Sequence, residues 1–134
     1  MSINNPYKQY ENNSVNTASP GELTLMLYNG CLKFIRKAKE AIKEKNYEQK
    51  NINIQKAQKI IQELMVTLNM DIEISKEMMA LYDYLNRRLI DANLKNDIDI
   101  LNEVEGFVEE FRDTWKQVIQ KNRQAQHSGM GGQI

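Results

Sequence analysis

One cysteine, one histidine and two prolines in 134 residues are few enough that each scarcity closes off a class of protein. With Cys31 alone, no intramolecular disulfide and no cysteine-based metal site can form. The only histidine is His127, near the end of the sequence, so a di-metal carboxylate centre of the helical-bundle type is excluded, because it needs a Glu-x-x-His pair on two helices. Nothing matches a glycine-rich phosphate loop or a nucleophile elbow. Eighteen basic residues balance eighteen acidic ones, which leaves no basic footprint for a nucleic acid or an anionic membrane surface. No apolar run approaches the roughly 18 residues that a membrane-crossing helix needs. The opening Met1-Ser2-Ile3-Asn4-Asn5-Pro6 lacks the charged and apolar regions of a signal peptide. The expectation is a cytoplasmic protein that is not an enzyme, carries no cofactor and binds no nucleic acid.

What the chain does have is helical periodicity. Apart from Gly21, Gly30 and Gly106, its glycines and prolines lie towards the ends. Apolar residues recur at steps of three and four over about 20–45, 47–69, 75–94 and 97–121, as one-sided helices require. The last run, Leu101, Val104, Val108, Phe111, Trp115 and Val118, has the alternation of a bundle seam, which places Phe111 and Trp115 in the core. Ser19, Pro20 and Glu22 form a start signal: an N-cap residue, a proline at the first helical position and a carboxylate three residues after the cap. Polar connections as short as Glu44-Lys45-Asn46 and Asn96-Asp97 force successive helices to run antiparallel. The predicted fold is all-α: an antiparallel up-down four-helix bundle over 19–121, an N-terminal arm over 1–18 and a flexible C-terminal tail over 122–134. Cys31, among apolar neighbours, is expected as a small buried thiol without chemistry.

Projection at 100° per residue leaves apolar side chains outside the seams. They are Met79, Ile90 and Leu94 on the third helix, Ile100 and Phe107 on the fourth, and Leu25, Tyr28 and Leu32 on the first. That is more than a plain four-helix core encloses, and it includes methionine, whose adaptable side chain suits binding surfaces. The surplus predicts a groove for an amphipathic helix or an extended peptide. In the arm, Ile3, Tyr7, Tyr10 and Val15 are the sizeable apolar residues; from the residues alone, packing on the bundle in part of the same groove and the random apolar content of a tail are equally open.

Four blocks carry a family resemblance: Tyr10 to Gly30 with Thr17-Ala18-Ser19-Pro20 inside it; Lys56-Ala57-Gln58 with Ile60-Ile61 and Glu63-Leu64; Leu81 through Asn93; and Arg112-Asp113-Thr114-Trp115. Over roughly residues 7–120 the chain resembles the FliS family of flagellin-specific export chaperones, a single small domain. It departs from the family at Asn29, where aspartate is usual, and at Asp71-Ile72-Glu73-Ile74, where many members carry glycines. The resemblance implies that the protein holds the C-terminal segment of flagellin, prevents premature polymerisation and hands the client to an export-gate component of the flagellar type III apparatus. With the apolar surplus it implies a client-binding set of Tyr7, Tyr10, Val15, Met65, Met79, Tyr82, Asn86, Ile90 and Phe107. A weak homodimer is compatible with this reading. The alternative is a client-free oligomeric bundle that buries its spare faces against copies of itself, and mass in solution separates the two.

Overall fold

The computed structural model describes residues 20–133, with side chains from 21 to 122. The periodic runs are four helices: α1 (Pro20–Lys43), α2 (Tyr47–Val66), α3 (Glu73–Lys95) and α4 (Ile98–Gln133). They form a ring in which α1 packs on α2 and α4, and α3 packs on the same two neighbours. The expected all-α antiparallel bundle is the observed one.

The tight connections follow from backbone chemistry. At the end of α1, Asn46 N–H donates to Ala41 O at 2.8 Å and Lys45 N–H to Ile42 O at 3.0 Å, with Lys45 in the left-handed region at φ 58°. This is the Schellman closure that satisfies the last carbonyls of a helix. Asn46 then caps α2 by accepting from Gln49 N–H at 3.2 Å. Asn96, left-handed at φ 52°, ends α3, and the Asp97 carboxylate accepts from Asp99 N–H at 2.9 Å to start α4. Lys50 Nζ reaches across to Asn93 O at 2.7 Å, placing a cation at the C-terminal end of α3, where the helix dipole favours it.

Some ends differ from the periodic reading. α2 stops at Val66, not Asn69, because Thr67 turns back, its hydroxyl donating to Leu64 O at 2.7 Å. α3 begins at Glu73, two residues early. α4 does not end near Lys121 but continues to Gln133, through residues expected as tail, since Arg123, Gln124 and Ala125 are good helix formers and no proline intervenes.

Leu27, Ile35, Ile61, Leu64, Leu85, Leu89, Leu101 and Val104 are among the core side chains. Tyr28 and Leu32, expected as surface surplus, are also buried. With a partner on either flank, α1 buries a wide arc. Phe111 and Trp115 are half-buried, packed against the core from outside it. Trp115 Nε1–H donates to Gly21 O at 2.7 Å, so α4 is already level with the first turn of α1 there. Val118, expected in the seam, is exposed, while its neighbour Ile119 faces Gly21. Cys31 is fully buried and its thiol is pushed up to about 12 by loss of solvation, which leaves it unreactive.

Ion pairs close the α1–α4 seam: Arg36 to Glu105 and to Glu109, each at 2.8 Å, and Lys39 to Glu105 at 2.6 Å. Burial pushes the Glu105 carboxyl up, but the bonds from Lys39 and Arg36 outweigh it and hold it below its ordinary range. A carboxylate lowered in the folded state contributes stability above its unfolded pKa and loses it as pH falls through the folded one. Glu105→Gln is therefore expected to cost about 1 kcal/mol at neutral pH. Urea melts at pH 7 and in strong acid check it: the gap from the parent should close below the normal carboxylate range.

Candidate functional site

The site is built from two helix faces set side by side. On α2, residues Asn51, Gln55, Gln58, Gln62 and Met65 follow one another at steps of three and four, so they line one stripe. On α3 the same spacing aligns Met79, Asp83, Asn86, Ile90 and Asn93. Two hydrogen bonds show that the stripes face each other: Asn93 Nδ2 donates to Asn51 Oδ1 at 2.7 Å, and Gln58 Nε2 donates to Asn86 Oδ1 at 3.1 Å. Each bond lies seven residues from the other on both helices. One further step of seven brings Met65 of α2 level with Met79 of α3, in antiparallel register. The ten residues of the two stripes include one charge, Asp83, which Arg87 of its own helix neutralises at 3.1 Å.

The other seams are polarised. α1–α4 carries the Arg36–Lys39–Glu105–Glu109 network. Across α3–α4, Glu103 accepts from Tyr84 Oη at 2.5 Å and from Arg88 Nε at 2.9 Å. Those two bonds, the tyrosine's first, hold the Glu103 carboxyl below its usual range, and the tyrosine's own bond to Glu103 raises the Tyr84 phenol. On α1–α2, the amines of Lys33, Lys37 and Lys56 lie 5.4–6.0 Å from the buried Phe34 ring. Only the α2–α3 groove, among the described seams, offers amides, methionines and an exposed isoleucine without a cross-groove ion pair. At the α2–α3 turn it opens onto Val66, Met70, Ile72 and Ile74, all exposed. Exposed apolar side chains gathered at one end of a groove make it a candidate docking surface.

Of the client-binding set expected from sequence, the groove gathers Met65, Met79 and Asn86, all half-buried, and Ile90, 42% exposed. Tyr82 does not belong with them. It is 3% exposed, and its phenol lies 2.6 Å from that of Tyr28 across the bundle. Its place on α3 turns inward, towards the diagonal helix, and burial raises both phenols' pKa values. Phe107 sits on the other side of α3, its ring 6.2 Å from Tyr84 and 6.5 Å from Phe111, so it shares no surface with Met79. Tyr7, Tyr10 and Val15 lie outside the described residues. Leu25, from the apolar surplus, lines a separate cleft between α1 and α4 with Met26, Lys116 and Ile119. The groove amides Asn51, Gln55, Gln58 and Asn93 escaped the sequence reading, which searched for apolar excess; their seven-residue spacing on adjacent antiparallel helices was the available signal. Among the described residues, no cluster of metal-binding side chains occurs and no helix is long and apolar enough to cross a membrane.

The fold and sequence have known counterparts. The family model described as "Flagellar protein FliS" matches residues 3–122. The flagellar secretion chaperone FliS of Bacillus subtilis (strain 168) is 62% identical over 132 residues, covering 98% of each chain. That of Escherichia coli (strain K12) is 34% identical over 109 residues, 79% of this chain and 80% of that one. A bacterial flagellar chaperone of known crystal structure superposes with a TM-score of 0.72 at 19% identity, covering 86% of this chain and 95% of the other, a likeness of fold.

Proposed function

The chain belongs to the FliS family, and on that premise we propose that it is a cytoplasmic flagellar secretion chaperone whose α2–α3 groove holds the C-terminal segment of flagellin. Covering that segment keeps it from polymerising before an export-gate component receives it. The observation that carries the reading is the groove itself: Met65, Met79, Ile90 and two cross-helix amide pairs with no ion pair spanning the two helices among the described residues, whereas the α1–α4 and α3–α4 seams are clasped by ion pairs. An amphipathic client is read through apolar anchors in such a groove, and methionine can repack around them. Tyr7, Tyr10 and Val15 are assigned to the same client contact, while Tyr82 and Phe107 are not. Binding alone does this work, without cofactor or catalysis.

Titration calorimetry of the full chain with the C-terminal segment of the host's flagellin tests the proposal. One-to-one binding with a negative heat-capacity change, the mark of apolar burial, is the expected result. No binding, together with a stable oligomer by light scattering that shields Met79 and Ile90, would establish the client-free bundle instead.

A further inference from the structure

The two amide pairs in the groove are only half used. Each side-chain amide offers two donors and an acceptor with two lone pairs. The Asn93–Asn51 and Gln58–Asn86 bonds, with Gln55 Nε2 donating to Asn51 Oδ1 at 3.3 Å, employ one end of each residue. Asn51 Nδ2, Gln58 Oε1, Asn86 Nδ2 and Asn93 Oδ1 have no protein partner among the described residues. These unspent groups recur in seven-residue steps, about 10.5 Å at 1.5 Å per residue, along a groove that no ion pair crosses among the described residues, and Met65/Met79 forms the next step.

Resting on the reading of this groove as the client site, we propose that the amide pairs are rungs that fix the register of a client helix. The occupant is an amphipathic helix bearing amide or hydroxyl side chains at two positions seven apart, with a large apolar residue seven further on against Met65 and Met79. A helix laid along the groove repeats the 10.5 Å step on one face. An extended segment covers the same distance in about three residues, and residues three apart on a strand point to opposite faces, so it meets alternate rungs with the wrong side. A client slipped along the groove would bury the rung amides against apolar atoms, leaving polar groups without partners, whereas the correct register satisfies them. Apolar anchors alone would hold several registers almost equally well.

Two helical 25-residue peptides with one leucine stripe supply the test. They differ only at two stripe positions seven apart, glutamine in one and leucine in the other. Fluorescence anisotropy with the full chain should show the glutamine peptide binding about 25-fold more tightly, about fivefold for each of the two rungs at roughly 1 kcal/mol per satisfied bond. In Gln58→Leu/Asn86→Leu, which removes both partners of one rung, the preference should fall to about fivefold with an unchanged melting curve. If that variant proves unstable, Asn51→Leu/Asn93→Leu makes the same measurement at the other rung. Equal binding of the two peptides, or an undiminished preference in the variant, would overturn the proposal. Met79→Asp separates this failure from that of the groove. If it weakens both peptides while they bind the parent equally, only the rungs are refuted; if it weakens neither, the groove is not the client site and both readings fall.

Discussion

Met79→Asp is expected to weaken binding of the flagellin C-terminal segment about a hundredfold or more while leaving the bundle folded. The asymmetry comes from where Met79 sits. In the free protein it is half-buried at the lip of the groove, so an aspartate there can turn to water and the fold loses only part of one side chain's packing. Under a client helix the same carboxylate would be enclosed beside Met65, one turn from the carboxylate of Asp83. Stripping solvent from an unpaired charge costs several kcal/mol, and about 2.7 kcal/mol already amounts to a hundredfold in affinity. Calorimetry beside thermal melts decides the matter. Lost affinity with a melting point within a few degrees of the parent supports the groove; an equal collapse of both would make Met79 a core residue.

The second large effect concerns Tyr28 and Tyr82. Their hydroxyls meet 2.6 Å apart inside the bundle, joining helices that do not otherwise pack against each other. Tyr82→Ala removes a fully packed aromatic ring and should cost about 3–5 kcal/mol. Tyr82→Phe keeps the ring but strands the Tyr28 hydroxyl in the core, at about 1–2 kcal/mol. Tyr28→Phe/Tyr82→Phe removes both polar groups and should cost less than the single change, because no orphan remains. Urea denaturation of the series checks the order, and strictly additive losses would show that the hydroxyls do not act as a pair. There is a pH signature as well. Burial raises both phenols above their ordinary value of 10.0. Their stabilising effect is therefore fully present below that pH and is lost as pH rises towards the folded values. The double phenylalanine variant should resist alkali better than the parent.

These residues also show how far a one-dimensional reading carries. The number of helices, their antiparallel order and their tight connections were legible because each rests on local chemistry: three-four periodicity, left-handed closures at Lys45 and Asn96, and side-chain caps at Asn46 and Asp97. The burial of Cys31 followed from the apolar pattern around it. Met79 and Ile90 could be picked out singly as lying off the seam, since a side chain's angular place on its own helix is a property of sequence.

Which neighbour each face meets is set by the pairing of helices far apart in the chain, and there only the tertiary structure decided. It buried Tyr28 and Leu32 because α1 is flanked by α2 and α4, and it turned Tyr82 inward to a partner 54 residues away. It sent Phe107 to the opposite side of α3 from Met79, beside Tyr84. It left Val118 exposed while turning the adjacent Ile119 towards Gly21 at the start of α1. Above all it set Asn51 against Asn93 and Gln58 against Asn86. An amide's own position carries no mark of the partner it will meet, because the register between two helices is fixed by the sum of their packing, not by either sequence alone.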